Sequence, residues 1–146
     1  MKVIRGRGKA SIVFVGLGPG ELLLESLTSA AKMAGIRNGA VVSGIGTLKR
    51  LRLHHITHCG FPPRERFVTI NKPLELDSLS GIIADGEPHL HFTASWADKK
   101  VWAGHLETGS EVLYLAEVAM VGVVGPGLLR KHDGHRKIKL LEKARP

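Results

Sequence analysis

Apolar and polar residues alternate along most of this chain with the two-residue period of a half-buried strand. The stretch HLHFTASW (89–96) is the sharpest case: Leu90, Phe92, Ala94 and Trp96 fall on one face, His89, His91, Thr93 and Ser95 on the other. Upstream, the β-branched apolar run ASIVFVGL (10–17) predicts a first strand. AVVSGIGTL (40–48), LRLHHITH (51–58) and RERFVTI (64–70) predict three more. LELDSLSGIIADG (74–86) predicts another, ending in a turn at Asp85-Gly86; residues 103–108 and EVLYLAEVAMVGVV (111–124) follow the histidine strand. The period changes once. In residues 21–34, Leu23, Leu27, Ala30, Ala31 and Ala34 fall on one helical stripe, Glu21 and Glu25 suit its positive end, and Gly35 ends it. The expected fold class is α+β: a single compact domain, with a largely antiparallel sheet and one main helix after the first strand.

Length and composition narrow this further. A chain of 146 residues at 43% hydrophobic buries one sizeable core, and with aromatics at only 5% that core is aliphatic. The single cysteine, Cys59, excludes an intrachain disulfide and any Cys-x-x-Cys motif, so a reducing, cytoplasmic setting is expected. No apolar run approaches the ~20 residues that span a bilayer, the stretch from Val118 to Leu129 included, so no membrane partner is expected. The formal charge of +8 is concentrated at the two ends. Residues 1–9 hold Lys2, Arg5, Arg7 and Lys9 with no acid; residues 130–146 hold seven bases against Asp133 and Glu142. The expected division is a basic N-terminal segment (1–9), a domain (10–129) and a basic C-terminal tail (130–146). Such ends attract phosphates without reading sequence, which predicts weak, non-specific DNA binding. Arg5-Gly6-Arg7-Gly8-Lys9 lacks the proline of an AT-hook.

The candidate chemistry centres on histidine. His89 and His91 share a strand face, and a polar turn at Asp98-Lys99-Lys100 brings AGHLETG (103–109) back alongside. If the two segments pair antiparallel with His105 beside His91, three neutral imidazole nitrogens converge and leave a fourth position open, the arrangement of a reactive zinc-type site. HHITHC (54–59) lacks the glutamate of His-Glu-x-x-His and reads as an exposed, partly basic strand. GLGPGE (16–21) has Glu21 where a dinucleotide fingerprint needs glycine, so it reads as a turn into the helix. Cys59 reads as an ordinary small residue. An open metal site needs an acid or base nearby, and Glu75 and Glu117 are the catalytic candidates, with Glu87 a third carboxylate close in sequence to His89. Glu117 lies in a strand apolar on both faces, where an ionised carboxylate requires a partner.

The segments quoted, LELDSLSGIIADGEPHLHFTASWADKKVWAGHLETGSEVLYLAEV with GPGELLLESLTSAAKMAGIRNGAVVSGIGTL upstream, resemble the PPC (plant and prokaryote conserved) domain family, stand-alone prokaryotic type, from about Gly18 to Val124. The resemblance implies a compact domain assembled as a homotrimer. It also implies a divalent metal, zinc foremost, on His-x-His and Gly-His-Leu motifs that fall at His89, His91 and His105. In plants the domain is joined to AT-hook segments in nuclear DNA-binding proteins, which keeps open a DNA-associated module acting through its basic termini. A remoter similarity to α-acetolactate decarboxylase implies a further alternative, a metal-dependent lyase or hydrolase acting on a small oxo-acid or carbonyl substrate. One departure is that Lys72-Pro73-Leu74 stands before Glu75-Leu76 where the plant proteins carry Gly-Arg-Phe before Glu-Ile-Leu.

Overall fold

The computed structural model describes residues 1–6, 8–97, 100–125 and 127–144. Its elements are β1 (Ala10–Leu17), α1 (Leu23–Met33), β2 (Gly39–Ile56), β3 (Glu65–Ile70), β4 (Leu74–Ala84), β5 (Glu87–Trp96), β6 (Lys100–Leu106), β7 (Glu111–Val123), β8 (Leu128–Asp133) and β9 (Ile138–Lys143). One antiparallel sheet runs β1-β7-β2-β4-β5-β6, with β3 beside the far half of β2, and β8-β9 form a separate hairpin. No helix among the described residues is long and apolar enough to cross a membrane.

The α+β expectation is corrected. Among the described residues strand accounts for 61% and helix for 8%, so the fold is β-dominated, and the one helix among them has 11 residues rather than the 14 of 21–34. Glu21 is not part of that helix: its carboxylate accepts the Gly18 N–H at 2.6 Å and holds the turn that precedes it. Strand content exceeds expectation in two places. β2 runs unbroken for 18 residues where a break at Lys49-Arg50 was expected. Both bases meet Glu111, at 3.0 and 3.2 Å, and register shifts against β7 around Leu48 absorb the irregularity. The basic C-terminal stretch, expected as a tail, is paired as β8 and β9. Asp133 ties their turn by accepting the N–H groups of His135 and Arg136 at 3.0 and 2.9 Å. The polar turn expected at Asp98-Lys99 lies outside the described residues, as does Arg7 of the Arg-Gly-Arg segment.

The helical stripe is buried as its spacing requires. Leu23, Leu27 and Ala31 are fully buried and join an aliphatic core with Leu48, Leu79, Leu90, Leu106 and Met120. Each such leucine contributes about 1.5–3 kcal/mol by leaving water. The sheet then curls, because β6 pairs back onto β2 through Leu53↔Leu106 and His54↔His105. Gly104 permits that closure: a β-carbon there would lie 2.9 Å from the His54 carbonyl oxygen. On the opposite flank, β1, β7 and β2 present an outer face that is apolar and exposed, with Ile12, Phe14, Val42, Ile45 and Leu115.

Candidate metal centre

β5 and β6 build the site. Their antiparallel register makes His91 and His105 direct cross-strand partners, and His89 follows two positions along on the same face. Gly81 on β4 lets the neighbouring backbone approach, since a β-carbon there would lie 2.0 Å from the His89 carbonyl oxygen. The three imidazoles offer one nitrogen each within 4.8 Å of one another. Tetrahedral zinc with bonds of about 2.1 Å holds its ligand nitrogens about 3.4 Å apart, a spacing within reach of side-chain rotation.

The electrostatics suit a cation. Burial, then the neighbouring His54 and His89, push His105 down to about 4, against the opposing pull of Glu107. Burial, followed by Arg130, His91 and His54, also lowers His89. Both rings are therefore neutral at pH 7 and present free lone pairs, the protonation state a metal ligand needs. The donor set fits a divalent metal of the zinc type, with an open side toward solvent.

A cavity of about 740 Å³ lies over these rings. His54, His89, His91 and His105 face it from the sheet, while Arg130, Lys137 and Lys139 border it from the β8–β9 hairpin. His54 was missed by sequence reasoning, which placed HHITHC on an exposed strand. It is half-buried, stacked on His105 at 4.4 Å between ring centroids, with Nδ1 2.6 Å from Glu107 Oε1. His54, His105 and Glu107 form a second potential donor set. The only signal was that Leu53-His54 and His105-Leu106 match as an antiparallel pair, a pairing between segments fifty residues apart.

The carboxylates expected to serve as acid or base lie elsewhere. Glu75 is exposed on β4, opposite Ser95 and Thr47, roughly 20 Å along the sheet from the Ile82–His89 pair. Glu117 is exposed on the outer face of β7, beside Gly16 and Ile45, so its expected burial within a doubly apolar strand is corrected. Glu87 and Glu65 do border the cavity.

The family model for the Plants and Prokaryotes Conserved (PCC) domain matches residues 5–124. The chain belongs to this family. A curated relative, the bifunctional protein GlmU of Synechococcus sp. (strain JA-2-3B'a(2-13)), is 28% identical over 113 residues, 77% of this chain. The chain spans about 17% of that relative's length. Among solved structures, a metal-containing protein from Archaeoglobus fulgidus superposes with a TM-score of 0.80 at 24% identity, covering 98% of this chain and all of that one. A candidate DNA-binding protein from Bacteroides thetaiotaomicron superposes at 0.78 and 21% identity, covering 97% and 98%. At these identities the likeness is one of fold, and the PCC fold described here is the shared one.

Proposed function

We propose that this PCC protein binds one divalent metal per chain, zinc in its native form, through His89, His91 and His105, and works as a cytoplasmic homotrimer. The observation that carries the reading is the convergence of three imidazoles, two of them held neutral, beneath an open cavity. A metal-containing relative of the same fold lends support. When bound, the metal would act as a Lewis acid or lower the pKa of water, as a lyase or hydrolase on a small oxo-acid or carbonyl compound requires. Acid and base for such chemistry are better sought in Glu65, Glu87 or the His54–Glu107 pair than in Glu75 or Glu117. The face of β1, β7 and β2 that exposes Ile12, Phe14, Val42, Ile45 and Leu115 is the surface for self-association. Metal analysis of the purified protein tests the centre: about one zinc per chain in the wild type and none in His89→Ala or His105→Ala. Uptake that survives both changes rejects the assignment.

A second reading, weak DNA association, rests on a different observation. The basic N-terminal segment lies against the basic hairpin, with Lys2 paired to Glu142 and Lys2, Ile4 and Leu141 lining one groove. The described parts of the two basic ends thus come together in one region, able to meet phosphates by charge alone. Retention on duplex DNA that vanishes by 150 mM salt is expected; salt-resistant binding would point to a specific reader instead.

A further inference from the structure

The wall that faces the three histidines is basic, and its cations all come from the β8–β9 hairpin. Arg130 donates from Nη1 to the Glu87 carbonyl at 2.9 Å and from Nη2 to the Ile82 carbonyl at 2.8 Å. Both acceptors are neutral, so the guanidinium is fixed in place without a salt bridge, and the attraction of the Glu87 carboxylate offsets its charge only in part. Among the described residues Arg130 makes no ion pair. Lys137 and Lys139 border the same cavity. Lys137 sits at the hairpin turn with φ 58°, its N–H donating to the Asp133 carbonyl at 2.8 Å. The turn that presents them is therefore pre-shaped. Glu65 and Glu87 are the carboxylates of the lining, so permanent cations outnumber them three to two before any metal arrives.

A site meant for a bare divalent cation gains nothing from this wall. A fixed guanidinium beside His89 repels the ion that His89 would hold, and the two lysines add to the repulsion. The arrangement becomes favourable once a negative group lies between the two positive sides, because each then stabilises it. The cavity's volume falls in the range of small-molecule sites.

We propose that the cavity binds a small oxyanion, a carboxylate or phosphate group, between the metal on His89, His91 and His105 and the cations Arg130, Lys137 and Lys139. This rests on the metal reading above. Arg130 supplies the rigid contact; the two lysines gate charge at the rim.

The test uses the full-length protein loaded with cobalt(II), whose visible absorption reports the coordination shell, titrated separately with inorganic phosphate and with acetate. A saturable spectral change with at least one of them is expected. Arg130→Gln should weaken it at least about tenfold, the loss of a charge-assisted hydrogen bond, with cobalt stoichiometry unchanged. Lys137→Gln/Lys139→Gln, a pair of exposed changes that leaves the hairpin's anchors intact, should weaken it about threefold. In parallel, the Arg130 Nε–H resonance of metal-free protein is followed during phosphate addition. No cobalt uptake with a saturable Arg130 shift would fell the metal reading and keep the anion site. Normal uptake with no saturable response to either anion, or with a response undiminished in both variants, overturns the oxyanion proposal alone. A short DNA duplex that displaces acetate at lower phosphate concentration than inorganic phosphate does also overturns it, since the cations would then serve a nucleic-acid backbone. Neither uptake nor an Arg130 shift removes both.

Discussion

Replacing Gly104 with alanine tests whether the closure of the sheet holds the site in shape. Gly104 precedes His105 where β6 meets β2, and an added β-carbon would lie 2.9 Å from the His54 carbonyl oxygen and 3.2 Å from Leu53 Cδ1. The oxygen belongs to the backbone of the longest strand, so no side-chain rotation relieves the contact. Instead the seam must open by a few tenths of an ångström. At Gly104 φ is +159°, a backbone that strains alanine, so the stabilisation alanine brings at compatible glycine sites does not apply. Overpacking alone costs about 1–3 kcal/mol, and the backbone strain adds to that loss. Denaturant titration measures it. Gly134→Ala in the hairpin turn, where nothing lies within 4 Å of the new β-carbon, provides the baseline and should change stability by no more than about 0.5 kcal/mol. Because His54 and His105 are partners across the seam, Gly104→Ala should also weaken zinc uptake while Gly134→Ala does not. Equal stability of the two variants would refute the close-approach argument. Lost stability with unchanged metal affinity would refute the link between seam and site.

Acid should destabilise the metal-free protein: the unfolded chain protonates His105 near the ordinary 6.5, the folded chain only near 4, so stability declines as pH falls through that window. A urea midpoint that holds constant across it, or whose decline persists undiminished in His105→Gln, would contradict this. Glu107→Gln should lower metal affinity by about tenfold, the usual cost of a lost outer carboxylate, without changing the one-metal stoichiometry seen by calorimetry. Phe14→Asp, on the exposed face of β1, should convert a sedimentation mass near three times 15.8 kDa into one near the single-chain value. A single-chain mass for the wild type would reject the oligomer itself. Arg5→Ala with Lys9→Ala should reduce the log–log salt slope of DNA binding by about 2, and an unchanged slope would remove the N-terminal segment from that role.

Local patterning carried the histidine site further than the fold. Alternation through 89–96 put His89 and His91 on one face, and the β5–β6 pairing that sets His105 opposite His91 follows from a short hairpin, where register is a local matter. The rest depended on distant partners. Lys49-Arg50 looked like a break because two adjacent bases rarely continue a strand, and it is the distant Glu111 carboxylate and Gly109 carbonyl that receive them there. Arg130, Lys131, Lys137, Lys139 and Lys143 read as a solvated tail by charge, although Ile138 and Leu140 carry a strand's alternation between them. Glu117 seemed buried because the residues around it are apolar on both faces; the outer of those faces is exposed on the single chain. His54 entered the site through a sheet that curls back on itself, and no window of sequence records a curl.

β7 lies between β1 and β2, and among the described residues β1 has no other partner in the sheet. The paired residues of β1 and β7 are separated by roughly a hundred positions. During synthesis the first strand, carrying Ile12 and Phe14, therefore emerges long before anything exists to receive it. At ordinary ribosomal speed that interval is roughly 5–20 s. β2 waits almost as long for the same neighbour on one of its edges. The growing chain thus carries two vacant strand edges until one late strand slots into the gap and closes both at once.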